Sequence, residues 1–215
     1  MLKLYSYYRS SASFRVRIAL NLKGLPYEYL PVHLVRHGGE QLAEAYRAIN
    51  PDGLVPALAD DGHLLSQSLA IIEYLDETHP LPALLPAQPA DRAHVRAVAL
   101  QVACEIHPVN NLRVLKYLKN TLGVSEDDKS AWYRHWLTSG FAALEKRLAG
   151  DPRTGKLVYG DQPTIADLCL VPQVWNARRF DIALDAYPTI TRISDHAMTL
   201  EAFRNAEPSA QPDAE

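Results

Sequence analysis

Cysteine is scarce in this 215-residue chain: there are two, Cys104 and Cys169. A disulfide-stapled secreted fold is therefore excluded, and both cysteines lie in helix-like apolar patterns that read as buried structural thiols with no bridge. Charge of one sign is lacking too. Lys and Arg total 22 against 25 Asp and Glu, a net charge of -3, so no basic footprint for nucleic acid exists. The opening Met1-Leu2-Lys3-Leu4-Tyr5-Ser6 has no apolar core of a secretory signal, and no later run is long enough for a bilayer. These absences point to a cytoplasmic protein without a membrane partner. HExxH, CxxC, GxSxG, P-loop and GxGxxG patterns are missing, and the eight histidines are scattered, so no metal site is expected. His33 and His37 fall in an extended or loop stretch, where that spacing builds no shared face. What remains is ordinary: 47% apolar and 22% charged residues, enough to fold one large domain or two small ones.

The first eighty residues mix strand and helix signals. Leu2-Lys3-Leu4-Tyr5 alternates as a strand does. Serines at 10, 11 and 13 then precede apolar residues at 14, 18, 19 and 22, which is helical spacing behind cap chemistry. Lys23-Gly24 stops that helix, and Tyr27 to Leu30 begins a second strand. A short helix fits Leu42 to Ala48. Val55 to Ala59, the Asp61-Gly62 turn and His63-Leu64-Leu65 read as a hairpin, and Gln67-Ser68 opens a helix from Leu69 to Leu75. The order is β-α-β-α-β-β-α.

Prolines at 80, 82, 86 and 89 mark a linker. Beyond it everything is helical. Val95 to Ile106 trace one face, continued by Leu112, Leu115 and Leu118 after a kink at Pro108. Trp132, Trp136, Leu137, Phe141, Leu144 and Leu148 trace another, with both tryptophans read as core. Thr164-Ile165-Ala166-Asp167 is a capping-box start, and a further helix is expected over Ile190 to Phe203. Residues 207–215 read as a mobile tail. The expected division is an α/β domain over 1–82, a linker over 83–89 and an all-helical domain over 90–215.

Three places carry possible chemistry. Arg9-Ser10-Ser11-Ala12-Ser13 puts hydroxyls and unpaired N–H groups at the positive end of a helix. Simple capping explains that cluster equally well, but an anion there, a thiolate included, would be stabilised. Leu54-Val55-Pro56 offers a proline, cis or trans, that leaves Val55 able to pair with a peptide-like ligand. Ser66-Gln67-Ser68, at the next helix start, is a cap or a second anion site suited to a carboxylate.

Taken in order, these three match a thioredoxin-like glutathione site. The run Ser10-Ser11-Ala12-Ser13-Phe14-Arg15-Val16-Arg17-Ile18-Ala19-Leu20 resembles the zeta-class signature of the glutathione transferases, with Ala12 where that signature has cysteine. Asn50-Pro51, Ala166 to Val174, Asn176-Ala177, Arg179-Phe180, Tyr187 to Ile190 and Gln211-Pro212-Asp213 extend the likeness over the full length. The resemblance implies a thioredoxin-like N-terminal domain followed by an all-helical one, in a homodimer. It also implies glutathione as cofactor and a small dicarboxylic keto-acid as substrate. The zeta class includes maleylacetoacetate and maleylpyruvate isomerases, which turn a cis double bond trans by reversible thiolate addition, with glutathione regenerated. A transferase or dehalogenase that consumes glutathione is the alternative.

By the same resemblance, Ser10 is the principal donor to the thiolate and Ser11 the second. Ala12, Ser13, Arg15, Gln41, Val55, Gln67, Ser68, His107, Asn111 and Arg113 would contribute to glutathione binding. His107 and Asn111 would share a helix face at i and i+4. Arg179 would hold the substrate carboxylate, where a guanidinium fork fits better than an ammonium, with Arg9 and Arg113 beside it. Arg178 points elsewhere on a helix. Arg113, Arg178 and His107 to Asn111 resemble the maleylpyruvate enzymes, whereas Ser10-Ser11 and Gly38-Gly39-Glu40-Gln41 resemble the maleylacetoacetate enzymes.

Overall fold

The computed structural model describes residues 1–215. They form two compact units: Met1–Leu85 together with Met198–Glu215, and Pro86–Ala197.

In the first unit, β1 (Leu2–Ser6), α1 (Ser11–Leu22) and β2 (Tyr27–Pro31) make a parallel βαβ turn, with Leu4 opposite Tyr29. A short helix α2 (Glu44–Arg47) follows, then the antiparallel pair β3 (Ala57–Asp60) and β4 (His63–Ser66), and then α3 (Ser68–Thr78). The sheet order is β2-β1-β3-β4, with β1 antiparallel to β3. α1 packs on α3, and Phe14, Ile18, Ile71, Ile72 and Leu75 are buried to within about 1% of full enclosure. Burying such side chains contributes roughly 1.5–3 kcal/mol each, which is what fixes α1 and α3 on the sheet.

The third strand begins at Ala57, not at Val55. The Val55–Pro56 bond is cis, so the chain enters the strand through a turn. The closing segment is not a mobile tail. α9 (Glu201–Arg204) packs on α1, and Ala206, Pro208 and Gln211 are buried. The first unit therefore takes residues 198–215, which the expected division assigned to the helical domain.

The second unit holds α4 (Pro89–Leu100), α5 (Leu112–Asn120), α6 (Glu126–Ala149), α7 (Ile165–Arg179) and α8 (Pro188–Ala197). α7 is its axis, buried at all but three of its fifteen positions. Its capping box forms as read: Asp167 accepts from Thr164 N, Thr164 Oγ1 and Val158 N at 2.8, 2.9 and 2.8 Å. The expected helix over Ile190–Phe203 is broken in two, because Met198, Thr199 and Leu200 separate α8 from α9. The stretch after α4 is a π turn over Gln101–Ile106, then a 3₁₀ turn over Pro108–Asn110. The π turn rotates the face, so Cys104 is exposed while Cys169 is buried. Trp136 is 38% exposed and Trp132 half-buried, so neither is core; Trp132 Nε1 donates to Val109 O instead.

Candidate functional site

Each unit presents its own part of the predicted set. In the first unit the residues converge at two helix starts and one turn. Ser10 is the N-cap of α1, in extended conformation, and its Oγ accepts from Ser13 N at 3.2 Å. That contact uses an acceptor lone pair and leaves the hydroxyl proton available for donation. Ser11 opens the helix and is buried. Ala12, at the cysteine position, is half-buried, and its N–H has no acceptor among the backbone hydrogen bonds. Ser13 is fully enclosed and its Oγ has no hydrogen-bond partner. The capping reading and the anion reading of this cluster are thus compatible: the cap takes one face of the Ser10 hydroxyl, and the helix dipole supplies positive potential at the other.

Arg15 lies one turn further on and is 2% exposed. It reaches across to the second helix start, donating from Nη1 to Ser68 Oγ at 3.2 Å. Burial makes Arg15 a support for Ser68 rather than a surface contact, which refines the role read from the sequence. Its Nε and Nη2 have no hydrogen-bond partner, so a buried positive charge with two unused donors sits at the α3 start. Gln67, the residue before Ser68, has φ 68° and ψ 113°, a strained conformation for a side chain with a Cβ. Ser68 N and Leu69 N have no backbone acceptor.

Gln41 is buried in the 3₁₀ turn Glu40–Leu42, and its Oε1 has no hydrogen-bond partner. A Cβ at Gly39 would meet the Gln41 amide at 2.7 Å, so only glycine lets that side chain fold back there. Val55 packs in a cluster with Tyr7, Tyr8, Val32 and Tyr46. Tyr46 Oη and Asn50 Nδ2 both donate to Leu54 O, at 2.7 and 2.8 Å, and Val55 itself has no backbone partner. Burial pushes the Tyr46 phenol up to about 12, so it stays protonated and donating. A strand-like peptide could pair there as an added edge.

Arg9 is committed locally. Nε and Nη2 donate to Tyr7 Oη at 3.1 and 2.7 Å, and the guanidinium lies 5.0 Å from the centre of the Tyr8 ring. Burial raises the Tyr7 phenol above its ordinary pKa despite that arginine.

In the second unit, His107 and Asn111 do not share a helix face. The 3₁₀ turn separates them, and Asn111, extended at φ -66° and ψ 149°, starts a new helix as the N-cap of α5, accepting from Arg113 N at 3.1 Å. Proline at 108 explains the break: it cannot supply the N–H that a continuous helix needs. Arg113 stands exposed in the first turn of α5. Arg179 ends α7, with its guanidinium 4.5 Å from the centre of the Phe180 ring. Phe180 stacks on Tyr133 at 3.9 Å, and Tyr133 O accepts from Asn110 Nδ2 at 3.1 Å. The 107–111 turn and Arg179 therefore meet the same stretch of α6. Arg178 is turned away, paired at the surface with Asp195 at 2.6 Å. Sequence reasoning missed Tyr133, because nothing in the sequence distinguishes it from other α6 core positions.

The first-unit groups fit glutathione by their chemistry. A peptide edge would pair at Val55, a carboxylate would find unused donors at the start of α3, and a thiolate would find a hydroxyl at the start of α1.

Known proteins carry the same architecture. The model of the glutathione S-transferase N-terminal domain matches residues 4–83, and that of the C-terminal domain matches residues 137–196. A probable maleylacetoacetate isomerase of Vibrio cholerae is 51% identical over 211 residues, 98% of this chain and 97% of its own. The holo structure of a maleylpyruvate isomerase, described as a bacterial zeta-class glutathione S-transferase, superposes with a TM-score of 0.96 at 52% identity, covering 99% of this chain and 100% of that one. A maleylacetoacetate isomerase of Methylobacterium extorquens AM1, solved with malonate and glutathione bound, superposes at 0.95 with 42% identity, covering 99% of both chains. With both domains matched and half of all positions identical along its length, this chain belongs to the zeta class of the glutathione S-transferase family.

Proposed function

We propose that the protein is a glutathione-dependent cis–trans isomerase of maleyl keto-acids, with maleylacetoacetate as the first substrate and maleylpyruvate as the alternative. The observation that carries this reading is the start of α1. The Ser10 hydroxyl spends an acceptor position on Ser13 N and keeps its proton for an anion outside the helix.

Glutathione, when bound, supplies the nucleophilic thiol that makes the maleyl double bond temporarily rotatable and is then returned. The chain's own residues do the rest. Ser10, with Ser11 second, donates to the sulfur and keeps it ionised. Val55 pairs with the peptide, while Gln67 and Ser68 hold a carboxylate, with the buried Arg15 fixing the Ser68 hydroxyl from behind. Gln41 offers an unsatisfied amide oxygen to a donor. Arg179 anchors a substrate carboxylate, its fork steadied over Phe180. Arg9 and Arg113 add positive potential, and His107 and Asn111 supply polar contacts from the turn before α5. A guanidinium near the keto group also favours the charge that develops there.

The test is a parallel isomerisation assay of both keto-acids, with and without glutathione, following glutathione concentration. An isomerase leaves glutathione unchanged and is inactive without it; steady consumption of glutathione would instead establish a transferase or dehalogenase. A homodimer and a cytoplasmic location go with this reading, and molar mass in solution by light scattering together with cell fractionation tests them. No helix is long and apolar enough to cross a membrane.

A further inference from the structure

The link between β1 and α1 is four residues, Tyr7 to Ser10, and it delivers Ser10 to the start of the helix. Its backbone is held by charged groups at both ends of one peptide-bearing residue. Tyr8 N donates to Asp213 Oδ2 at 3.1 Å. Tyr8 O accepts from Arg17 Nη2 at 2.9 Å. Arg17 also donates from Nη1 to Tyr7 O at 3.3 Å and to Ser6 Oγ at 3.2 Å, and from Nε to Ala206 O at 3.0 Å. The arginine is fully buried, so it has no freedom to release the loop. Asp213 is braced in turn: Tyr29 Oη, from β2, donates to its Oδ1 at 2.6 Å. Ser10 N completes the link by donating to Tyr7 O at 2.9 Å.

Hydrogen bonds to ionised partners are roughly twice as strong as neutral ones. The Tyr8 peptide therefore has little freedom to rotate, and only Arg9 stands between it and Ser10. We propose that Asp213 is a positioning residue for the reaction: by fixing the Tyr8 N–H it sets the direction of the Ser10 hydroxyl toward the bound sulfur. This rests on the reading of Ser10 given above. Asp213 touches neither substrate nor sulfur in this scheme and acts through the loop alone.

The test titrates the thiol of glutathione bound to the full-length protein, by thiolate absorbance against pH, beside steady-state kinetics. Asp213→Ala is expected to raise the thiol pKa by about half a unit and lower kcat about threefold, with the keto-acid KM unchanged. Asp213→Asn can still accept from Tyr8 N and donate to Tyr29 Oη, so it restores the parental titration. Adding Asp213→Ala to Ser10→Ala gives no further shift, because the path to the sulfur is already cut. If Asp213→Ala proves unfolded, Tyr29→Phe, which removes the brace on Asp213 together with the Tyr29–Ser6 hydroxyl contact, is expected to shift the titration the same way by less. A folded Asp213→Ala or Tyr29→Phe that titrates like the parent, while Ser10→Ala is shifted, overturns the proposal and spares the role of Ser10. A Ser10→Ala that titrates like the parent overturns both. Additive shifts in the double variant overturn the path through Ser10.

Discussion

Replacing Ser10 by alanine removes two separable contributions. The first is the cap: Ser13 N loses its 3.2 Å acceptor, which costs about 1 kcal/mol of stability and lowers Tm by roughly 2–4 °C for a chain of this size. The second is the donor to sulfur. A hydrogen bond to a charged partner is worth about 1.5–3 kcal/mol, equivalent to roughly one to two pKa units of the bound thiol. At neutral pH the thiolate population, and kcat/KM with it, is then expected to fall about 10- to 100-fold. Ser10→Asp separates the two contributions. It caps as well as serine and favours the helix dipole, but when ionised it cannot donate and it repels an anion. Thermal unfolding with the thiol titration therefore gives a crossed result: Ser10→Ala loses both stability and activity, and Ser10→Asp keeps stability and loses activity. A Ser10→Asp protein with parental turnover would refute the reasoning and leave the first turn only a cap.

Arg179→Ala is expected to raise the keto-acid KM about tenfold or more with the glutathione KM unchanged, while Arg178→Ala, whose partner Asp195 is a surface residue, stays within twofold; steady-state kinetics check both. Burial raises Asp167 to about 6 against the opposing pull of its three donors. Its folded pKa lies above the unfolded value of 3.8, so its contribution is fully present below that value and is lost as pH rises through about 6, a change of roughly 3 kcal/mol. Denaturant titrations of the parent and Asp167→Asn across that window should differ in slope by one proton, and equal slopes would contradict the assignment. A Cβ at Gly140 of α6 would lie 2.4 Å from Ile106 Cγ1 in the π turn, so Gly140→Ala should cost about 1–3 kcal/mol in chemical denaturation.

Local chemistry was legible where one short segment decides the outcome. Serines before an apolar periodic run marked α1, and Thr164 with Asp167 marked the start of α7. The Gln67-Ser68 pair marked α3, though its positive φ was not visible in a residue type that rarely adopts one. Outcomes decided by distant partners were not legible. The π turn at 101–106 shifts Cys104 outward by a fraction of a turn, a displacement that apolar spacing does not encode. The polar closing segment reads as solvated because its apolar content is low, yet Arg17, Tyr8 and Tyr29 supply it with specific partners. His107 and Asn111 looked coaxial only as long as Pro108 was taken to kink the helix and not to end it.

The return of residues 198–215 to the first unit means that the peptide chain crosses between the units twice, after Leu85 and after Ala197. Topologically, the helical unit is an excursion out of a thioredoxin-like body, not an appendix to it. A fragment stopped near residue 85 would keep every strand and the Ser6, Tyr7 and Tyr8 acceptors of Arg17, but would leave its Nε without Ala206 O. Severing the second crossing while retaining the segment in trans would restore that acceptor, because the thioredoxin-like body is discontinuous in sequence.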